Sequence, residues 1–188
     1  LHITATHEEK TPCAYQSSKI NTYGKKHFQY GKFVIRAKMP TGKGSWPAIW
    51  FLGTNMKENH VRWPLCGEID LVEYAGNRFS KVSSAIHTKA YNHKINTQIG
   101  RRVELPDAST KFHDYELLWT STKLEFSIDG LIHLTIEKKE TDTEEQWPFD
   151  QPFYLMIDQQ LEGSWPGKVT NPKELPINMV VDWVRLYQ

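Results

Sequence analysis

The chain has 188 residues, 12% of them aromatic, with 23 Lys and Arg against 22 Asp and Glu and a formal net charge of +1. That length suits one domain with a sizeable core, and the lack of a basic field argues against nucleic acid and for a neutral polymer as partner. No apolar run approaches the roughly 18 residues of a membrane-spanning helix, and the sequence shows no secretory signal.

Residues 1–5 read as a strand already under way, and residues 16–22 as a second strand that ends at the turn residue Gly24. Residues 30–39 carry the clearest period-two pattern, with Phe33, Ile35, Ala37 and Met39 on one face and Lys32, Arg36 and Lys38 on the other. This pattern predicts a half-buried antiparallel strand. After the turn at 40–44, residues 46–53 form an apolar strand bearing Trp46 and Trp50. A polar loop at 54–62 then leads through Trp63 and Pro64 to the most informative stretch, Gly67-Glu68-Ile69-Asp70-Leu71-Val72-Glu73-Tyr74.

That stretch sets three carboxylates into what otherwise reads as a buried strand, and an ionised carboxylate in a core costs several kcal/mol unless it is paired or hydrated. Residues two apart on a strand share a face, so Glu68 and Asp70 point together while Glu73 falls on the opposite side. One inserted bulge residue, Leu71 or Val72, restores the phase and brings all three acids to one face. Aligned carboxyls of this kind suit general acid/base and nucleophilic work on a glycosidic bond. The apolar residues between the acids do not suit a calcium loop.

Further along, residues 83–88 form a short strand carrying His87, followed by a long polar stretch at 89–110. Loops of that length are unusual unless functional. Residues 112–119 and 124–128 read as strands, and Asp129-Gly130 is a hairpin turn into 131–136. Residues 137–145 form a charged, solvated loop. Residues 153–161 begin apolar and turn polar, as a strand does on passing from core into cleft, and the loop 163–167 closes beside it before a long last strand at 177–187. No segment has helical periodicity, so the chain is expected to be an all-β antiparallel sandwich or barrel.

The two cysteines, Cys13 and Cys66, make no disulfide framework. Cys66 reads as a small buried residue, and a bridge to Cys13 stays open. His93, His113 and His133 fall on separate segments without metal-ligand spacing.

The acidic strand resembles the E-x-D-x-x-E signature of glycoside hydrolase family 16 in its bulged, laminarinase-like form. The likeness extends through residues 30–38, 46–53, Trp63-Pro64, 67–73, Ile86-His87-Thr88, 147–150, Trp165-Pro166-Gly167 and 181–185, in the order that laminarinase-like members show. It implies a β-jelly roll of two stacked antiparallel sheets with a substrate cleft on the concave one. The implied activity is retaining endo-hydrolysis of internal β-1,3-glucosidic bonds. Mixed-linkage β-1,3/1,4-glucan hydrolysis is the alternative, and a non-catalytic jelly-roll carbohydrate-binding module is the alternative of another class.

By the same resemblance Glu68 is the nucleophile, Glu73 the acid and base, and Asp70 the charge between them. Trp50 and Trp63 floor the subsites at the cut, Trp46 and Trp165 stack further out, and His87 either hydrogen-bonds the acids or is a satisfied structural histidine. Residues 158–163 replace a segment of type Asn-Leu-Ala-Val-Gly-Gly, and this polar replacement, with Gln159 as a substrate-binding residue, is expected to face the cleft and to alter linkage preference. Asp182 matches a position that contributes to a structural calcium in some members, the ordinary reading being an Asp that caps or pairs near the last strand; no cofactor is otherwise expected. The resemblance also implies residues 1–188 as one catalytic domain without the family's N-terminal strands, acting as a monomer in an extracellular, periplasmic or cell-surface setting.

Overall fold

The computed structural model describes residues 1–9, 14–78 and 80–188. In chain order the strands are β1 (His2–His7), β2 (Tyr15–Gln16), β3 (Lys19–Asn21), β4 (Gly31–Lys38), β5 (Ser45–Gly53), β6 (Glu68–Tyr74) and β7 (Lys81–His87). They continue as β8 (Ile99–Glu104), β9 (His113–Trp119), β10 (Lys123–Ile128), β11 (Leu131–Glu137), β12 (Phe153–Leu161) and β13 (Ile177–Tyr187). Among the described residues, helix is confined to single turns at Asn55–Glu58, His93–Ile95 and Pro172–Glu174.

Two antiparallel sheets result, ordered β11-β10-β9-β4-β13-β1-β2 and β3-β12-β5-β6-β7-β8. The alternation in β4 does what its pattern predicts: Phe33, Ile35 and Ala37 are buried and face the second sheet. Tyr115, Leu117 and Trp119 on β9 join them, against Ile49, Phe51, Ile69, Val72 and Tyr74 from the facing sheet. Burying side chains of this size contributes about 1.5–3 kcal/mol each. The Trp119 indole also meets Phe153 edge-on at 5.3 Å and donates its N–H to the Phe149 carbonyl at 3.2 Å. The expected two-sheet, all-β fold is the one found.

Three expectations need correction. Residues 16–22 are not one strand: Gln16 ends β2 in the seven-stranded sheet and Lys19 begins β3 in the other, with Ser17 and Ser18 crossing between them. All of β3 is exposed, so no apolar alternation marked the break. The long stretch 89–110 is not a loop throughout, because it contains β8, whose Gly100, Arg101 and Arg102 are exposed on an edge. The loop 54–62 includes the helical turn Asn55–Glu58. Cys66 is fully buried, and burial pushes its thiol up to about 12; the pairing with Cys13 concerns a residue outside those described.

Candidate active site

The site lies on the outward face of the six-stranded sheet, at its centre. On β6, Asp70 pairs with Trp50 and Val72 with Ile49, so Leu71 has no partner on β5. Toward β7, Asp70 pairs with Ala85 and Glu73 with Ser83, so Leu71 and Val72 together oppose Ser84 alone. This is the anticipated bulge, and it puts two consecutive side chains, Leu71 and Val72, into the core at 1% exposure each. Glu68, Asp70 and Glu73 consequently share the outward face.

Small side chains beside the acids open the space above them. Ala48 pairs with Glu73 on one flank, Ser83 and Ala85 stand on the other, and Gly100 follows on β8. The cleft so formed has a volume of about 610 Å³ and is lined by Trp46, Trp50, Trp165 and His87 together with the three acids. Trp165 meets Trp46 edge-on at 5.6 Å, extending the aromatic wall.

Glu68 and Glu73 are each tied by an indole. Trp63 Nε1 donates to Glu68 Oε2 at 3.0 Å, and Trp46 Nε1 donates to Glu73 Oε1 at 3.0 Å. His87 Nε2 lies 3.4 Å from Asp70 Oδ2 and 3.9 Å from Glu68 Oε1. Burial, with His93 nearby, pulls the His87 imidazole down to about 4, so it is neutral at ordinary pH.

Burial also pushes all three carboxyls well above the usual range, and their mutual repulsion adds to the effect on Glu68 and Asp70. Asp70 is raised by its burial first and by the carboxylates beside it second: it is 3% exposed, with Glu68 and Glu73 on either side. Kept protonated, it donates toward Glu68, which lowers Glu68 while raising Asp70. The indole N–H groups of Trp63 and Trp46 oppose the rise on Glu68 and Glu73 by favouring their ionised forms. The cluster therefore holds protons at neutral pH and can both give and take them.

The predicted residues Trp46, Trp50, His87 and Trp165 thus converge with the acids, and Trp63 reaches Glu68 from the rim, with its ring 5.8 Å from His87. Gln159 does not belong to this group. It pairs with Pro47 and is fully buried, its Nε2 donating to Ser45 Oγ at 3.2 Å. Strand parity explains the difference: Asp158 opposite Ala48 and Gln160 opposite Trp46 take the outward face, and Gln159 between them points inward. Asp182 is the bulge residue of β13, its carboxylate 3.6 Å from Arg36 Nε on the adjacent β4 of the seven-stranded sheet. Its nearest charged partner is thus a cation, and the grouped acid and histidine ligands among the described residues are Glu68, Asp70 and His87 instead. Among the described residues no group of three carboxylate or histidine ligands includes Asp182.

The stretch 158–163, expected to face the cleft, contributes Asp158 and Gln160, and residues that the sequence did not single out complete the site. Gln160, Ser83, His93, Arg101 and Arg102 line the cleft. Asp158, fully buried, holds Lys19 at 3.5 Å, accepts from Gln160 Nε2 at 3.1 Å and raises Glu73 through its charge. The signal for Asp158 was the change from apolar to polar along residues 153–161.

The profile of glycosyl hydrolases family 16 matches residues 1–185. The β-glucanase of Rhodothermus marinus is 39% identical over 193 aligned positions, which take in 100% of this chain and 68% of that protein. The keratan-sulfate endo-1,4-β-galactosidase of Sphingobacterium multivorum is 33% identical, over 94% of this chain and 41% of that protein. The chain thus spans only part of the length of these relatives. Among solved structures, the laminarinase of Rhodothermus marinus superposes with a TM-score of 0.93 at 37% identity, over 100% of this chain and 76% of that one. The laminarinase of Flavobacterium sp. UMI-01 gives 0.91 at 40%, over 100% and 78%. The same bulged acidic strand that organises the cleft therefore sits in a chain that matches one family along nearly all its length, and the chain belongs to glycosyl hydrolases family 16.

Proposed function

We propose that this chain is a retaining endo-hydrolase of internal β-1,3-glucosidic bonds in a neutral β-glucan. The observation that carries the reading is the bulge at Leu71 and Val72, which sets Glu68 and Glu73 on one face with Asp70 between them. Retaining enzymes need carboxyls roughly 5–5.5 Å apart, whereas an inverting pair needs roughly 6.5–9.5 Å to admit a water. Two acids crowded about Asp70 on one strand face favour the first. The names of the similar β-glucanase and laminarinases support a β-glucan as substrate.

In this mechanism Glu68 Oε1 attacks the anomeric carbon, its Oε2 being held by Trp63. Glu73, held at Oε1 by Trp46, gives its proton to the leaving oxygen as the glycosidic bond breaks. The glycosyl ester on Glu68 is then opened by water, which passes its proton back to Glu73. Asp70 keeps its own proton on the Glu68 side and orients the nucleophile. No metal takes part in these steps. A polymer substrate of this kind places the work outside the cytoplasm.

The test is product analysis on laminarin, barley mixed-linkage glucan and agarose side by side, with proton NMR of the first-formed product. β-1,3-Linked oligosaccharides released from laminarin as the β-anomer are expected. An initial α-anomer would refute the role of Glu68, and turnover of agarose alone would refute the glucan.

Asp158 sets a pH limit on this chemistry. Its negative charge disfavours loss of the Glu73 proton, so Asp158→Asn lowers the Glu73 value and the acid form is lost at lower pH. The alkaline limb of the kcat/KM profile is expected to move toward acid; a limb that stays in place would show that this charge is not felt at Glu73.

A further inference from the structure

Two bulges, one in each sheet, meet through the interior of the sandwich. In β11 the register steps from Leu134 opposite Phe126 to Ile132 opposite Ser127, which leaves His133 without a partner on β10. His133 Nε2 lies 2.9 Å from Ser84 Oγ on β7, in the facing sheet. Ser84 is 2% exposed and shares the inward face of Val82 and Ile86. Its Oγ lies 2.6 Å from the carbonyl oxygen of Leu71, the bulge residue of the acidic strand.

Proton accounting fixes the direction of this chain. A carbonyl oxygen only accepts, and a serine hydroxyl has one hydrogen to give, so Ser84 donates to Leu71. Its oxygen must then accept from His133, whose Nε2 carries the hydrogen. The series runs from the His133 N–H to the Ser84 hydroxyl to the Leu71 carbonyl, and each bond polarises the next. A bulge leaves its extra residue outside the ladder, and here a side chain from β7, braced from the opposite sheet, engages it.

We propose that Ser84 and His133 are positioning residues that hold the bulge of β6 and thereby set Glu73 against the glycosidic oxygen. Glu68 lies three residues before Leu71 and pairs directly with His87 and Leu52, so its placement does not depend on the bulge. Glu73 follows the bulge, and its position does. The inference rests on the roles given above to Glu68 and Glu73.

The distinction supplies the test. Loss of the bridge should impair protonation of a poor leaving group and spare attack by Glu68 on a substrate that needs no acid. In Ser84→Ala, kcat/KM on laminari-oligosaccharides is expected to fall by about tenfold or more, since a misplacement of about 1 Å can cost on the order of 10²-fold. On a dinitrophenyl β-glucoside oligosaccharide, kcat/KM should stay within about twofold of the original, because the good leaving group departs unprotonated. His133→Ala should show the same pattern, and His133→Gln, which keeps an N–H donor at that reach, should restore most of the loss.

Equal losses on both substrates, or His133→Gln no better than His133→Ala, would overturn the proposal. Should Ser84→Ala fail to fold, the His133 pair decides alone, as it lies on an edge strand. Glu73→Gln in the same assay separates this inference from the reading beneath it. If Glu73→Gln loses activity equally on both substrates, the acid role itself is wrong; if only Glu73→Gln discriminates, the bridge alone is wrong.

Discussion

Glu68→Gln is expected to abolish measurable hydrolysis of laminarin while leaving the sandwich intact, with a fall in kcat of at least about 10³-fold. The amide cannot form the glycosyl ester, and no other carboxylate can replace it, since Asp70 is kept protonated by burial between two acids. Glu73→Gln should cost roughly 10²–10⁴-fold, the usual worth of general acid/base catalysis. The fold should survive because both side chains face the cleft and their amides can still accept from Trp63 and Trp46. The measurement is single-turnover and steady-state hydrolysis of laminarin beside thermal melting. Near-original turnover in either folded variant would remove that residue from the mechanism.

Trp63 is expected to show the largest effect outside the acids, because it serves sugar and nucleophile together. Its indole N–H fixes Glu68 Oε2, and its ring stands 5.1 Å from His93 and beneath the Lys94 ammonium at 4.9 Å. A hydrogen bond to a charged group contributes about 1.5–3 kcal/mol, which corresponds to roughly 10- to 150-fold. Trp63→Phe should therefore lower kcat by about that factor with little change in KM, and Trp63→Ala should weaken oligosaccharide binding as well. Trp183→Phe is the control: Trp183 pairs with Arg36 within the seven-stranded sheet and stacks with Arg185 at 4.2 Å. Calorimetry with glucan oligosaccharides that gave Trp63→Ala the affinity of the original chain would contradict the stacking role.

The sequence made the acids legible because they violate a rule. Three carboxylates out of phase on an apolar strand force either a buried charge or a bulge, and the bulge stands at Leu71 and Val72 as the phase requires. The face of β4 was legible for the opposite reason, since its alternation is regular. Gln159 was misplaced because the first seven residues of β12, from Phe153 to Gln159, are all buried, and burial on both faces leaves no alternation to count. Only the pairing of Asp158 with Ala48 settles which residues face outward. Ser84 and His133 lie 49 positions apart and meet across two sheets, a contact that no local pattern carries. The edge strand β8 was read as loop because it is polar along most of its length, as an edge in water can be.

Those edges have a consequence of their own. An open sandwich ends in four unpaired strands, and each is a template on which another chain could add a strand. Here every one is blunted differently. β2 and β3 are only 2 and 3 residues long, too short to seed an extended ladder. β8 presents Arg101 and Arg102, whose charge and hydration make a second strand a poor neighbour. β11 is the most adhesive of the four, with Leu131 77% and Ile132 58% exposed, and the bulge at His133 breaks its run at the next residue. The irregularity that sends His133 inward thus also interrupts the outer edge, so one departure from regular pairing both reaches into the core and breaks the row of open backbone groups that a further strand would need.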